Sequence, residues 1–84
     1  MPNAIPNERG FKFKFFSNEG NEPPHVHVFK GNGKFPKAKF WLTPKPKLLY
    51  SEGFTVQEQR IIAGIIIRKY KRMIEKWNRH FQNK

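Results

Sequence analysis

Apolar and polar positions alternate strictly over Phe11-Lys-Phe-Lys-Phe15, between Gly10 and a polar stretch from Ser17 that ends in Pro23-Pro24. A two-residue period is that of a half-buried β-strand. It sends three Phe rings to one face and Lys12 and Lys14 to the other. A second alternating run, His25-Val-His-Val-Phe29, leads into Asn32-Gly33, the strongest short-range hairpin signal. A third strand is expected over residues 35–42, with Pro36 near its start or on an edge, because proline has no N–H to give to a ladder. Pro44 and Pro46 then break the sheet, and Leu48-Leu-Tyr50 makes a short fourth strand or a crossover.

At Thr55 the period changes. Thr55-Val-Gln-Glu58 has the spacing of a capping box, in which the first and last residues each satisfy the other's backbone N–H. After Val56, the residues Ile62, Ile66, Tyr70, Met73, Trp77 and Phe81 recur in helical steps, and Ile61 and Ile65 widen this core-facing stripe. Gly64 costs roughly 1 kcal/mol against Ala in mid-helix, so it serves a close approach to the sheet or divides the segment in two. One unbroken helix would run about 40 Å at 1.5 Å per residue, longer than a small sheet can cover, so its end projects or packs on a second copy. The expectation is a single α+β domain over residues 1–84. Its antiparallel sheet has three or four strands (about 10–50), followed by one long or two shorter C-terminal helices (about 55–82) packed on one face.

Composition narrows the chemistry. The 84 residues carry 17 Lys and Arg against six acids, all Glu, for a net charge of +11. Residues 1–24 sum to zero, residues 25–50 carry six Lys and no acid, and the remainder adds +5. A field of that sign attracts a polyanion or an acidic protein. The absence of Asp and Cys removes disulfides, thiolate zinc sites, Cys nucleophiles, Asp-centred triads and Asp-based two-metal nuclease sites. The longest apolar run, Ile61–Ile67, contains a Gly and is far short of a membrane span, so no membrane is expected as a partner. The start of the chain has neither the basic residues nor the apolar stretch of a secretory signal, which points to the cytoplasm. Burial is marginal at this size, and a homodimer would supply more of it.

Two hairpin registers compete. A two-residue Asn32-Gly33 turn places His27 opposite Ala38 and His25 opposite Phe40, on the apolar face. A three-residue Gly31–Gly33 loop instead places Val28 opposite Pro36 and Val26 opposite Ala38, with His25 and His27 opposite Lys39 and Lys37 on a basic, solvated face. A one-residue slip exchanges the faces. The second is favoured because it buries two valines and spares two imidazoles from burial.

His25 and His27 share a face of their strand and admit three readings. They are a start for a zinc or iron site, with further ligands from Glu19, Glu22, His80 or another chain. They are the general base and acid of a small metal-independent ribonuclease, with Lys37 or Lys39 holding phosphate charge. Or they pack under the helix, or bind phosphate or partner groups. No cofactor is expected, no metal is favoured, and the balance leans away from an enzyme. The segment Lys30, Lys34, Phe35, Lys37, Lys39 and Trp41 mixes cations with rings as single-stranded nucleic-acid binders do. Ser17 and Asn18, in the adjoining loop, supply hydrogen-bond donors. The competing view is that these Lys are an ordinary strand's outer face.

Arg9-Gly-Phe-Lys-Phe, Ser17 through Pro-Pro-His-Val-His-Val28, Ala38-Lys-Phe-Trp-Leu42, the Gly53-Phe54 turn, and Trp77-Asn78 with Phe81 together resemble the small bacterial domain-of-unknown-function family 4160. The resemblance covers nearly the whole chain. It implies a small bacterial protein, often encoded beside a second small protein and suspected to be a toxin–antitoxin component, and it implies no particular activity. This chain departs from the family in having more Lys between residues 30 and 47 and fewer Glu on the helix, so a partner mode resting on acidic helix residues does not carry over. The expected function is a toxin–antitoxin-like binding module for RNA or for an acidic partner protein encoded nearby.

Overall fold

A computed structural model describes residues 3–16 and 22–82. Five strands, β1 (Asn3–Glu8), β2 (Phe11–Lys14), β3 (His25–Lys30), β4 (Ala38–Trp41) and β5 (Lys47–Ser51), precede one helix, α1 (Val56–Gln82). The strands pair antiparallel in chain order, β1-β2-β3-β4-β5. The α+β architecture is as expected, but the sheet has five strands rather than three or four. The additional strand is β1, whose Pro6 and two register shifts disguise it as an irregular terminus. It is joined to β2 through Arg9 and Gly10, both at positive φ (54° and 83°), the backbone of a two-residue hairpin loop whose twist matches that of the strands.

The β3–β4 connection corrects the expected register. Asn32-Gly33 is not a two-residue turn, nor is the loop three residues long; residues 31–37 all lie between the strands. Val28 faces Ala38, Val26 faces Phe40, His27 faces Lys39 and His25 faces Trp41. The sides match the favoured alternative, since the valines face the core and the histidines lie with the lysines, but each partner is shifted by two residues. The longer loop leaves Phe35 and Pro36 outside β4. The final strand forms around Leu48 to Tyr50, with Leu49 as the extra residue of a bulge against Lys39 and Phe40.

One face of the sheet carries Phe11, Phe13, Val26, Val28, Ala38 and Phe40, all buried under α1 through Ile62, Ile65, Ile66, Met73 and Trp77. Each fully buried side chain of this size contributes roughly 1.5–3 kcal/mol. The capping box forms as its spacing requires: the Glu58 N–H donates to Thr55 Oγ1 (3.0 Å) and the Thr55 N–H donates to Glu58 Oε1 (2.9 Å). The helix is continuous through Gly64, and 27 residues of it match the molecule's longest dimension, 38 Å. It lies along β1, where Arg68 pairs with Glu8 and Lys76 Nζ donates to the Asn3 carbonyl (3.5 Å). Val56, expected in the core stripe, is instead 64% exposed, because six residues before Ile62 it lies about 120° round the helix from the core-facing side. Among the described residues no helix is long and apolar enough to cross a membrane.

Candidate binding face of the sheet

The helix covers one side of the sheet. The pleat therefore places Lys12 and Lys14 of β2, His25, His27 and Phe29 of β3, Lys39 and Trp41 of β4, and Tyr50 of β5 together on the other. Along β3 these residues are buried even so: His25, His27 and Phe29 are 0%, 4% and 2% exposed. The imidazoles were expected on a solvated surface, and the cause of the difference is Phe16. Its ring lies flat on His27, with centroids 3.9 Å apart and planes 11° from parallel, and meets Phe29 at 6.4 Å. Lys14 Nζ stands 5.4 Å from the centre of the Phe29 ring, so its aliphatic stem helps close the strip from that side.

His25 occupies the end of the strip. Its Nδ1 lies 2.9 Å from the Pro23 carbonyl oxygen, which can only accept, so Nδ1 carries the proton of this bond. Its ring is enclosed by His27 (5.3 Å), Trp41 (5.9 Å) and Trp77 of the helix (5.1 Å). Trp77 in turn sits edge-on to Phe15 at 5.3 Å, which ties this end of the open face to the core. The Glu22 carboxylate accepts from Lys39 Nζ at 3.0 Å and lies 4.0 Å from His25 Nδ1. Lys39 Nζ also stands 5.8 Å from the centre of the Trp41 ring.

Of the residues named from sequence, the fold brings His25, His27, Lys39 and Trp41 into one cluster. Lys37 immediately precedes β4, donating its N–H to Val28 and accepting at its carbonyl from Glu52 (2.7 Å each). Lys34 and Phe35 lie on the β3–β4 loop, where Phe35 is 75% exposed. Lys30 points to the helix side, 3.2 Å from Glu58. The Thr55 N–H, and after it this lysine, hold the Glu58 carboxyl below its ordinary pKa. Ser17 and Asn18 lie outside the described residues, as does Glu19. His80 is exposed on α1 and contacts Phe81.

Sequence reasoning passed over Phe16, Phe29 and Lys14 as site residues, and named Glu22 only as a further metal ligand. For Phe16 the signal was present: Phe11, Phe13 and Phe15 claim the core face, so the next residue must turn to the other. The cluster presents the half-buried rings of Phe16 and Trp41 with ammonium groups nearby, an arrangement suited to flat, anionic ligands. Among the described residues no group of three or more His, Cys, Asp and Glu converges to hold a metal ion. No curated protein and no solved structure matches the chain. A family model described as a domain of unknown function matches residues 10–78, which include all of β2 to β5 and most of α1, and the chain therefore belongs to that family, DUF4160.

Proposed function

We propose that this protein is a binding module for single-stranded RNA, and that the side of the sheet opposite the helix is its platform. The observation that carries the reading is the strip of rings along β3, roofed by Phe16 and bordered by Lys12, Lys14, Lys39 and Trp41. Bases stack on the half-buried rings of Phe16 and Trp41 at the surface of this strip while lysines neutralise phosphates, which needs no metal and no catalytic group. The net charge of +11 draws the polyanion in. Lys34 and Phe35, on the exposed loop beyond β3, extend the contact. In this reading His25 and His27 shape the platform from within rather than transferring protons, since both rings are covered. The module works within a toxin–antitoxin-like pair, as the family resemblance suggests.

The test is a fluorescence-anisotropy titration of short single-stranded RNA at low and at physiological salt. Binding with a steep salt slope, weakened by Trp41→Ala, supports the platform. Absence of binding at low salt overturns it and transfers the charge to recognition of an acidic protein. Cleavage of the RNA that disappears in both His25→Ala and His27→Ala would replace the binding reading with the ribonuclease one.

A further inference from the structure

The helix has a second pattern that the core does not use. Starting from Val56, the residues Arg60, Ala63, Ile67, Tyr70 and Ile74 alternate steps of four and three, the spacing of a coiled-coil seam. This seam lies beside the core-facing stripe. It is open where it begins, with Val56 64% and Ile67 55% exposed, and it sinks against the core toward Tyr70 and Ile74. Arg68 and Lys76, which fasten α1 to β1, project from other sides of the helix, so packing against β1 leaves Val56, Arg60 and Ile67 of the seam uncovered.

Gly64 borders this seam. It is mid-helix with no positive φ, and a Cβ placed on it would have nothing within 4 Å. Neither backbone geometry nor packing within the chain calls for glycine there, although glycine is the poorest helix former after proline. A missing side chain at the margin of an open seam lets another backbone come close.

We propose that this face of α1 docks a helix of another protein, one that carries its own apolar seam and is acidic along its flanks. The partner's charge follows from that of the helix: α1 has seven Lys and Arg against two Glu, with exposed Arg60 within the seam and exposed Lys71 at its border. A second copy of the chain would bring the same excess of cations against itself, whereas glutamates flanking a partner's seam would meet both. This surface is on the helix side of the sheet and is independent of the RNA platform.

The experiment uses the full chain and a synthetic four-heptad peptide with Leu at its seam positions and Glu at the flanking ones, beside a control with Lys in place of Glu. Binding is followed by anisotropy, and the peptide's helicity by circular dichroism. The Glu peptide is expected to bind and become helical, and the Lys peptide to remain unbound. Ile67→Glu, at a largely exposed site, is expected to retain the fold and weaken the peptide by roughly tenfold or more. Gly64→Leu is expected to raise the thermal midpoint and yet weaken the peptide, a pairing that a merely structural glycine would not produce. Lys39→Ala and Trp41→Ala are expected to leave peptide affinity unchanged, which separates this surface from the platform. Lack of binding, equal binding of both peptides, or indifference to Ile67→Glu overturns the proposal. So does self-association in sedimentation equilibrium that Ile67→Glu abolishes, since the seam would then belong to a second copy.

Discussion

The ring of Phe16 lies parallel to that of His27 at 3.9 Å, and it turns what would be a solvated imidazole into a buried one. A polar ring in the middle of an open sheet face thereby becomes part of a second, smaller apolar layer. The prediction is energetic. Phe16→Ala and His27→Ala each destabilise the fold, and the double mutant loses less than the sum, with a coupling of roughly 0.5–1.5 kcal/mol, the value of a stacked pair beyond its area. Urea denaturation of the four proteins measures it. Additive losses would mean that the stack is incidental.

On the platform, Trp41 and Lys39 make separable contributions. Trp41→Ala is expected to cost roughly 1–3 kcal/mol of RNA affinity at any salt concentration, the worth of one base stacked on a ring. Lys39→Ala is expected to lower the slope of log K against log salt by about 0.7, the share of one phosphate contact on a single strand. Anisotropy titrations across a salt series distinguish the two, and an unchanged slope would remove Lys39 from the interface.

Thr55 and Glu58 stabilise the start of α1. Thr55→Ala is expected to cost about 1 kcal/mol, as loss of an N-cap hydroxyl does. Glu58 adds a pH dependence whose sign follows from its lowered pKa: its contribution is complete above the ordinary carboxyl value of 4.5 and is lost as pH falls through the lower folded-state value. Glu8, held down by Arg68, acts in the same direction. Glu58→Gln should therefore flatten the acid limb of a stability–pH curve measured between pH 2 and 6, and an unaltered limb would show that the box carries no linkage.

Gly64→Ala should stabilise the isolated protein by about 0.8–1 kcal/mol, because it restores helix propensity where there is room for a methyl group. Thermal or urea unfolding tests this, and destabilisation would reveal a contact that the helix makes at that point.

At the β1–β2 hairpin, Arg9 has a φ of 54°, a region that is costly for a residue with a bulky side chain. Arg9→Asn, which keeps the loop length and suits its backbone, is expected to stabilise by roughly 0.5–1 kcal/mol in equilibrium unfolding. No gain would mean that the Arg9 side chain compensates for its backbone.

Local patterns in the chain were sufficient for the elements that owe their form to nearest neighbours. The alternation of Phe11 to Phe15 and of His25 to Phe29, the capping box at Thr55 and the helical recurrence from Ile62 to Trp77 each rest on contacts within a few residues, and each appears where its spacing places it. The side of the sheet on which the histidines lie was legible too, since of the two competing registers the one that buries Val26 and Val28 was favoured and its side is the one observed. Only the tertiary structure decided the rest. A β1 interrupted by Pro6 is a strand because β2 and α1 flank it, not because its own residues favour one. The β3–β4 register goes with a seven-residue loop in place of the two-residue turn that Asn32-Gly33 favours, and it brings Val26, Val28, Ala38 and Phe40 together in the core. The burial of His25 and His27 depends on Phe16, Trp41 and Trp77, which come from β2's end, β4 and the far end of α1. Burial is a property of what converges from distant parts of the chain, and no local period carries that information.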